Sequence, residues 1–308
     1  MGRRNKKGRD ITGIIIIDKP TGRSSNHVLQ QVKRLFNANK AGHTGSLDPL
    51  ATGVLPVCLG EATKVSSYLL DSDKRYHVTC QLGAVTDSGD SDGVVMSTSD
   101  IPEFTEQDLL ALLPAFIGEL DQVPPMFSAL KHQGQPLYKL ARQGIEIERK
   151  SRRISIYDIK LLAITADSFT IDVQCSKGTY IRTLVEDISH VLGSGGHVIM
   201  LRRVAAAGYL EQQAVTIEQL ISSAENGLPS LDEFLLPAEE ALDDWPSVFL
   251  ADYMVTAIRQ GQAVQVEQTF ERANVRLFDP QKKFIGLAEM NETGNVQPKR
   301  VFVVAEPQ

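Results

Sequence analysis

The chain has 308 residues, of which 42% are hydrophobic and 23% are charged, ordinary values for a globular protein. That length predicts one large domain with a small one, or two domains, and it excludes a need for disulfides or a structural metal to hold a core together. The formal net charge is -6, which taken alone argues against a nucleic-acid partner.

The charges are segregated along the chain. No Lys or Arg lies between Arg203 and Arg259. The positive charge is concentrated in three groups: Arg3, Arg4, Lys6, Lys7 and Arg9; Lys139, Arg142, Arg149, Lys150, Arg152 and Arg153; and Lys282, Lys283, Lys299 and Arg300. Such segregation allows a basic face on an acidic protein, although the same residues can be ordinary solvated charges.

The sequence has neither a membrane-span pattern nor an export-signal pattern. No apolar run approaches the ~20 residues of a membrane helix, and the basic N-terminus lacks an apolar signal region. The cysteines Cys58, Cys80 and Cys175 lie far apart in apolar runs, which predicts buried, reduced thiols. We therefore expect a cytoplasmic protein.

A buried strand and an amphipathic helix are the first predicted elements. Ile14 to Ile17 form an apolar run that ends in the turn DKPTG at 18–22. A helix follows with Ser24 or Ser25 as its N-cap, because apolar residues recur at helical spacing from 28 to 36.

Residues 42–57, GHTGSLDPLATGVLPV, form a turn that carries a single carboxylate, Asp48. The glycines permit backbone conformations closed to other residues, and Pro49 pushes Asp48 out of the α region. A strand-like run, 54–59, follows. Asp48 is thus presented on a loop held by rigid elements, where catalytic groups concentrate, although capping a turn is the ordinary role of such an Asp.

Two helices and a strand are predicted next. Residues 61–70 have the pattern of a helix, and Thr105 caps another that stops near Gly118. Residues 76–82 alternate apolar and polar side chains, which predicts a half-buried strand. The stretch 87–93 is a polar loop rich in Gly, Asp and Ser.

Residues 124–153 are predicted to be an extended, partly mobile excursion, because a Pro-Pro pair opens the segment and a basic run ends it. A strand at 169–175, a helix from near Thr179 and strand-like residues at 197–210 follow. The run that starts at Gly193 is more typical of a helix end than of a phosphate-binding loop. Strands with irregularly placed helices indicate an α+β fold.

The C-terminal part is predicted to be a separate small domain. The acidic, proline-containing stretch 229–247 has the composition of a linker. Short strands are then predicted at 264–266, 275–277, 284–287 and 301–304. Short strands separated by turns are typical of a small β-barrel, so we place the domains at 1–245 and 246–308.

No pattern in the sequence predicts a metal or an organic cofactor. There is no GxxxxGK[ST] loop, no GxGxxG that opens a helix, and no metal-ligand spacing among the six histidines. Asp87, Asp90 and Asp92 offer a second carboxylate for a glycosidase-like reaction on a small molecule, but they lie in a polar loop that we expect to be flexible.

Five segments resemble, in order, the motifs of one family. They are GIIIIDKPTGRSS at 13–25, GHTGSLDPLATGVLPV at 42–57, GEATKVSSYLL at 60–70, KRYHVTCQLGAVTDSGDSDG at 74–93 and SKGTYIRTLVEDI at 176–188. The family is TruB, the tRNA pseudouridine-55 synthases. The sequence FIGLAEMNETGNVQPKRVFVV also resembles the end of a PUA-type RNA-binding domain, found at the C-terminus of many bacterial members.

The resemblance implies a pseudouridine-synthase fold, with a mixed, mostly antiparallel sheet flanked by helices and a PUA-like barrel. It implies an enzyme that flips uridine 55 out of the tRNA T loop and exchanges its C1′–N1 bond for a C1′–C5 bond. This isomerisation needs a carboxylate and a base for the C5 proton, and neither metal nor cofactor. The excursion at 124–153 would clamp the T arm and the C-terminal domain would touch the acceptor end. Members are typically monomers.

The resemblance also assigns roles to individual residues. Asp48 is the catalytic aspartate, Tyr76 stacks on the flipped uracil and Arg182 orients Asp48 and keeps it ionised. Tyr180 and Leu201 line the uracil pocket. Whether Asp48 attacks C1′ or C6, or acts as a base toward the ribose, stays open. From the residues alone, Tyr76 and Leu201 fit a hydrophobic core and Arg182 fits a surface position.

Four further residues receive supporting roles by the same resemblance. His43 inserts into the RNA loop and helps displace the target nucleotide, which offsets part of the cost of unstacking it. Lys19 and Pro20 support the site from beneath, and Lys64 contacts phosphate. A non-enzymatic alternative is a tRNA-folding factor whose pocket only holds a flipped base.

Overall fold

The computed structural model describes residues 8–271 and 273–303. The first elements are β1 (Gly13–Lys19), α1 (Ser25–Leu35), β2 (Ala41–His43), β3 (Thr52–Leu59), α2 (Ser66–Leu70), β4 (Lys74–Leu82), β5 (Ala84–Thr86), β6 (Val95–Thr98), α3 (Glu106–Leu112) and β7 (Gly118–Gln122). The middle elements are β8 (Lys131–His132), β9 (Gln135–Pro136), α4 (Leu137–Ala141), β10 (Arg152–Ile164), β11 (Ser168–Cys175), α5 (Ile181–Leu192), β12 (Gly196–Ala206) and β13 (Tyr209–Leu210). The last elements are α6 (Ile217–Ala224), α7 (Leu228–Asp232), β14 (Ser247–Phe249), α8 (Asp252–Arg259), β15 (Val264–Gln265), β16 (Asn274–Phe278), β17 (Phe284–Met290) and β18 (Asn295–Val301).

A nine-stranded sheet forms the centre of the protein. Its strands run in the order β1, β3, β12, β4, β11, β10, β7, with β2 paired to β3 and β13 paired to β12. All these pairs are antiparallel except β12 and β3, which share a short parallel ladder at Arg202 and Arg203. The α+β fold with a mixed, mostly antiparallel sheet is therefore confirmed.

Helices cover both faces of the sheet. On one face, α5 buries Val185 and Ile188 completely against β4 and β11, and α3 adds Leu109. On the other face, α1 and α6 pack against Ile15 and Ile17 of β1. Each fully buried side chain of this size contributes about 1.5–3 kcal/mol. The predicted alternation of β4 is confirmed, and the three cysteines are buried and unpaired.

The predicted helix caps are largely present. Ser24 caps α1 by accepting a hydrogen bond from the His27 amide at 3.2 Å, and Thr105 forms a capping box with Asp108 at the start of α3. The helix expected from near Thr179 begins at Ile181, and it ends at Gly193 in a left-handed conformation, as predicted.

Two predicted helices are shorter than the sequence pattern suggests. The stretch 61–70 is a 3₁₀ turn, Gly60–Lys64, followed by α2, because the hydroxyls of Thr63 and Ser66 bond to preceding carbonyls and compete with a regular helix. Helix α3 gives way to a 3₁₀ turn that contains Pro114, so Gly118 begins β7 and does not end the helix.

The stretch 229–247 is not a linker, contrary to the prediction from its composition. Leu231 on α7 is fully buried, and Trp245 packs edge-on against Tyr68 with ring centroids 4.9 Å apart. The backbone of Leu236 exchanges two 2.8 Å hydrogen bonds with Ile14 of β1. Apolar residues spaced between the acidic ones therefore bind this stretch to the sheet.

The C-terminal residues form a five-stranded sheet in the order β14, β16, β17, β18, β15. The strand expected at 301–304 lies instead at β18, and α8 was not predicted. Phe284, Leu287 and Phe302 share a hydrophobic cluster with Ile14 and Ile16 of the main sheet, so the two sheets pack on each other. No helix in the described chain is long and apolar enough to cross a membrane.

Candidate active site

The Asp48 loop connects β2 to β3 and is braced from one side by the turn before α1. The Ser25 hydroxyl accepts a 2.7 Å hydrogen bond from the Leu47 amide and donates to the Leu47 carbonyl at 3.1 Å. The Gly22 amide donates to the Pro49 carbonyl at 2.8 Å. Asp48 is therefore flanked on both sides by residues whose backbone is fixed.

Gly53 closes this loop against β12. Its φ is +99°, and a Cβ atom there would lie 2.2 Å from the Arg203 carbonyl oxygen. Only glycine permits both the left-handed backbone and this close approach of strands β3 and β12. The sequence pattern predicted the shaped turn, and the structure shows which strand makes glycine necessary.

Arg182 lies on the first turn of α5 and is 5% exposed. Its Nε is 3.0 Å from Asp48 Oδ2, Nη2 donates to the Phe127 carbonyl at 2.7 Å, and Nη1 donates to the Ser88 carbonyl. The predicted pairing with Asp48 is thus present in the structure, through one close contact. The backbone carbonyls hold the other two nitrogens and fix the plane of the guanidinium.

Asp90 is a second carboxylate beside Arg182, with Oδ2 3.7 Å from Arg182 Nη1. We expected it in a flexible, solvated loop, but it is 4% exposed. The Ser88 hydroxyl donates to Asp90 Oδ1 at 2.5 Å, and the Asp92 amide donates to the same oxygen at 3.2 Å. The loop between β5 and β6 therefore forms a tight turn around a buried carboxylate.

Burial raises the pKa of Asp48, while the charges of Arg182 and Lys19 act in the opposite direction and those of Asp90 and Asp92 add to the rise. The Asp48 side chain is nevertheless 39% exposed, because its open side faces a cleft. A carboxylate that is poorly solvated but accessible is a stronger base and nucleophile than one in free solution.

The cleft has a volume of about 320 Å³, at the lower end of the range for small-molecule pockets. Its walls come from the Asp48 loop, β4, β12, the start of α5 and the base of the 124–153 segment. The residues that line it include Asp48, Lys74, Tyr76, Tyr180, Arg182, Leu201 and Arg203. Among the described residues, no group of three or more His, Cys, Asp or Glu could hold a metal ion.

Three family models match the chain in consecutive blocks. The model for the N-terminal domain of TruB family pseudouridylate synthase matches residues 33–181. The model for the C-terminal domain of tRNA pseudouridylate synthase B matches 182–243, and that for the C-terminal part of pseudouridine synthase II TruB matches 246–302.

Curated relatives match almost the whole chain. The tRNA pseudouridine synthase B of Shewanella sp. (strain MR-7) is 52% identical over 309 residues, which cover 98% of this chain and 97% of the relative. The protein of the same name from Nitrosococcus oceani is 49% identical over 299 residues, with 97% of each chain covered. This chain belongs to the TruB family of pseudouridine synthases.

Solved structures agree with the fold of the TruB family. A crystal structure of a Cbf5–Nop10–Gar1 complex contains a chain with a TM-score of 0.72 and 27% identity, covering 94% of this chain and 85% of that one. A chain in an H/ACA RNP bound to a substrate RNA containing 2′-deoxyuridine has a TM-score of 0.73 at 24% identity, covering 98% of this chain and 92% of that one. The pseudouridine-synthase fold implied by the sequence is therefore confirmed.

The cleft contains the three apolar or aromatic residues that the family resemblance predicted there. Tyr76 and Leu201 lie on the adjacent strands β4 and β12, with 9% and 6% exposed. Tyr180 precedes α5, and its backbone exchanges hydrogen bonds of 2.8 and 3.1 Å with the Gln122 side chain. The roles assigned to these side chains remain predictions.

His43 ends β2 and does not line the cleft. Burial and the charge of Arg203 lower the pKa of its ring, so the imidazole is neutral at pH 7. Its Nδ1 atom is buried and has no hydrogen-bond partner within the described residues. A neutral planar ring at the start of the loop is compatible with the predicted insertion into RNA.

Lys19 is completely buried beneath the loop. Its ammonium donates to the carbonyls of Pro20 at 2.8 Å, Arg23 at 2.6 Å and Pro49 at 3.3 Å, and burial lowers its pKa to about 8. Lys64 lies elsewhere, where its ammonium donates to the Val301 carbonyl at 2.6 Å and pairs with Glu61. Its predicted phosphate contact remains a prediction.

Asp90 and Arg203 are site residues that the sequence interpretation missed. The sequence offers Asp90 only as a second acid for a glycosidase-like reaction, in a loop expected to be flexible, and it assigns Arg203 no role in the site. The only signal for Arg203 is a second arginine on a buried strand, next to Arg202. Four residues of the N-terminal basic group, Arg3, Arg4, Lys6 and Lys7, lie outside the described residues.

Proposed function

We propose that this protein isomerises uridine 55 in the T loop of tRNA to pseudouridine. Relatives that are 49–52% identical over almost the whole chain are named tRNA pseudouridine synthase B, so the chain is a tRNA-modifying isomerase. The observation that carries the assignment of its chemistry is the Asp48–Arg182 ion pair at the mouth of a small cleft. No observation favours a role in tRNA folding without catalysis.

We propose that the cleft supplies three functions of the isomerisation: a stacking face, an enclosure for the detached base and a fixed carboxylate. A flipped uridine enters with its base against the Tyr76 ring, because the face of an aromatic ring binds any base plane. Leu201 and Tyr180 enclose the base while it is detached from the ribose, and Arg182 fixes the Asp48 carboxylate beside the sugar. Asp48 then reacts with the nucleotide at C1′ or C6, or takes a proton from the ribose.

The 124–153 segment is proposed to bind the T arm. Its base forms part of the cleft, since Phe127 accepts a hydrogen bond from Arg182 and Ser128 lines the wall. Its exposed cations are Lys131, Lys139, Arg142, Lys150, Arg152 and Arg153. Binding there would place phosphate charge next to the reacting carboxylate, so neutralisation by these cations favours the complex.

The remaining assignments follow from the family. We propose that residues 1–245 form the catalytic domain and that 246–308 form a PUA-like domain that touches the acceptor end. The gap between the family matches at 243 and 246 supports this boundary. We also expect a cytoplasmic monomer that uses no cofactor.

The test is conversion of a tRNA transcript, followed by mass spectrometry or chemical mapping of pseudouridine. We expect wild type to convert position 55 alone, Asp48→Asn to give no product, and both proteins to bind tRNA with affinities within about threefold of each other, since the change keeps the shape of the side chain. Product from Asp48→Asn would refute the mechanism. A tRNA-folding effect that survives in this variant while product is lost would identify a second role.

A further inference from the structure

Arg203 is a buried guanidinium at the floor of the cleft, with 1% of the residue exposed. Its Nε donates to the Val54 carbonyl at 2.7 Å and its Nη2 to the Gly45 carbonyl at 3.3 Å. Both acceptors are neutral. Among the described residues no Asp or Glu forms an ion pair with it, whereas Arg182 has Asp48 at 3.0 Å and Asp90 at 3.7 Å.

Arg203 is buried without an ionic partner, so it is a costly residue to place in the protein interior. Removing an ion from water costs several kcal/mol unless close contacts compensate, and apolar residues of similar volume often stabilise such a position better. Hydrogen bonds from a charged donor are about twice as strong as neutral ones. The role of Arg203 therefore depends on the oxygen atoms to which its guanidinium donates.

Tyr76 lies directly beside Arg203 on the neighbouring strand. The two residues are direct partners in the β4–β12 ladder, and their side chains project into the same cleft. Burial raises the pKa of the Tyr76 phenol, and the positive charge of Arg203 acts in the opposite direction. The guanidinium thus lies close enough to act on the one polar atom of an otherwise apolar ring.

The contacts of Arg203 connect three separate pieces of the site. Val54, on β3, and Gly45, in the loop that carries Asp48, accept its hydrogen bonds, and Tyr76 is its ladder partner on β4. A planar guanidinium can hold several oxygens at fixed angles, whereas an ammonium on a flexible stem cannot. The charge also lowers the pKa of Lys19, His43 and Lys74, so it acts on groups outside the cleft as well as in it.

We propose that Arg203 is a positioning residue that fixes the Tyr76 ring in the plane where it supports the flipped uracil. The inference rests on the proposed isomerisation and adds to it a residue that acts through Tyr76. Misplacement of a reacting group by about 1 Å costs on the order of 10²-fold in rate. A Tyr76 ring that is free to tilt would shift the uracil by such a distance relative to Asp48.

The test is a double-mutant cycle on the single-turnover rate of uridine 55 conversion. We expect Arg203→Met to lower the rate by about 10- to 100-fold and to leave tRNA affinity within about threefold of wild type. In a Tyr76→Phe background, where the hydroxyl is gone, the same substitution should cost less than about threefold. Arg203→Lys should give an intermediate rate.

Arg202→Met is the matched control. Arg202 precedes Arg203 on β12, but its side chain is 30% exposed and pairs with Asp18 at 2.9 Å and Glu211 at 2.8 Å, away from the cleft. We expect this variant to keep a rate close to wild type. A comparable loss in both arginine variants would show that any arginine on this strand matters, and would overturn the proposal.

Two other outcomes would also overturn it: a wild-type rate for Arg203→Met, or equal losses from that substitution in the wild-type and Tyr76→Phe backgrounds. If Arg203→Met shows no cooperative thermal transition, Arg203→Lys takes its place in the cycle, and additivity or coupling decides in the same way. Failure of wild type to convert uridine 55 would instead refute the proposed function itself. That result comes from wild type alone, so a failure of the proposed function is distinguishable from a failure of the Arg203 proposal.

Discussion

The two arginines of the cleft are both deeply buried but lie in opposite electrostatic surroundings. Arg182 contacts two carboxylates, Asp48 and Asp90, at 3.0 and 3.7 Å. Arg203 donates to two backbone carbonyl oxygens and lies beside Tyr76. The difference indicates two uses of one side chain: Arg182 governs the charge of a reacting group, whereas Arg203 governs the geometry of a ring.

The most severe test of this comparison is Arg182→Met. The substitution removes the positive charge beside Asp48 and the contact that fixes the reacting carboxylate. We therefore expect the single-turnover rate to fall by about 10²- to 10³-fold, more than for Arg203→Met. A smaller loss than that of the Arg203 variant would reverse the proposed division of roles.

Arg75→Met is the control for that measurement. Arg75 precedes Tyr76 on β4 but is ion-paired with Asp172 outside the cleft, and its side chain is 47% exposed. Its removal should leave the rate within about threefold of wild type, since neither Arg75 nor Asp172 lines the cleft.

Asp90→Asn should have a moderate effect. The substitution keeps the shape and removes one of the two negative charges that face Arg182, so we expect about a tenfold loss at neutral pH. It also removes a like charge that raises the Asp48 pKa. The acid limb of the pH–rate profile, where the Asp48 carboxylate becomes protonated, should therefore move to lower pH. An unchanged limb would show that Asp90 does not act on Asp48.

Asp48→Asn should stabilise the fold while it abolishes turnover. Burial places the folded-state pKa of Asp48 above its unfolded value, so the ionised side chain lowers the free energy of unfolding once the pH exceeds the ordinary Asp pKa. Solvent screens part of this effect because the side chain is 39% exposed. We expect calorimetry at pH 7 to show a Tm higher by about 1–2 °C, and no difference in strong acid. A lower Tm would contradict this reading of the site.

The smallest effect is expected at Lys64, which does not line the cleft. Lys64→Met removes the contact with the Val301 carbonyl and the pair with Glu61, which should cost about 1 kcal/mol of stability. If only Tm falls, Lys64 serves to connect the two sheets. A fall in tRNA affinity as well would support the phosphate contact predicted from the sequence.

How much of this site can be predicted from sequence depends on how local each signal is. Asp48 is recognisable because glycines and Pro49 define its turn within a few residues. The alternation of β4 likewise predicts the inward direction of Tyr76. Both signals are complete within one segment, and the family resemblance adds the reaction that residue patterns alone cannot supply.

Arg203 and Asp90 have no such local signal. Whether an arginine on a strand is solvated or buried depends on its partner strands, and Arg203 meets Tyr76 and Gly53 only through the registers of β12 with β4 and β3. In the sequence Asp90 resembles any solvated acid, because Arg182, which packs against its loop, lies far along the chain. The composition of 229–247 wrongly predicts a linker for a related reason. Composition does not reveal that a few spaced apolar residues are buried.

The contact between Leu236 and Ile14 has a consequence for the behaviour of the protein during and after folding. Strand β1, GIIIIDK, carries four consecutive isoleucines and lies at the edge of the main sheet. Unpaired edges of this composition promote pairing between chains and aggregation. Leu236 bonds to Ile14, and Val215 bonds to Ile16 and Asp18, so two later segments of the same chain occupy this edge. The acidic stretch thereby covers an edge that would otherwise promote self-association. Its deletion should lower the solubility of the protein before it affects any other property.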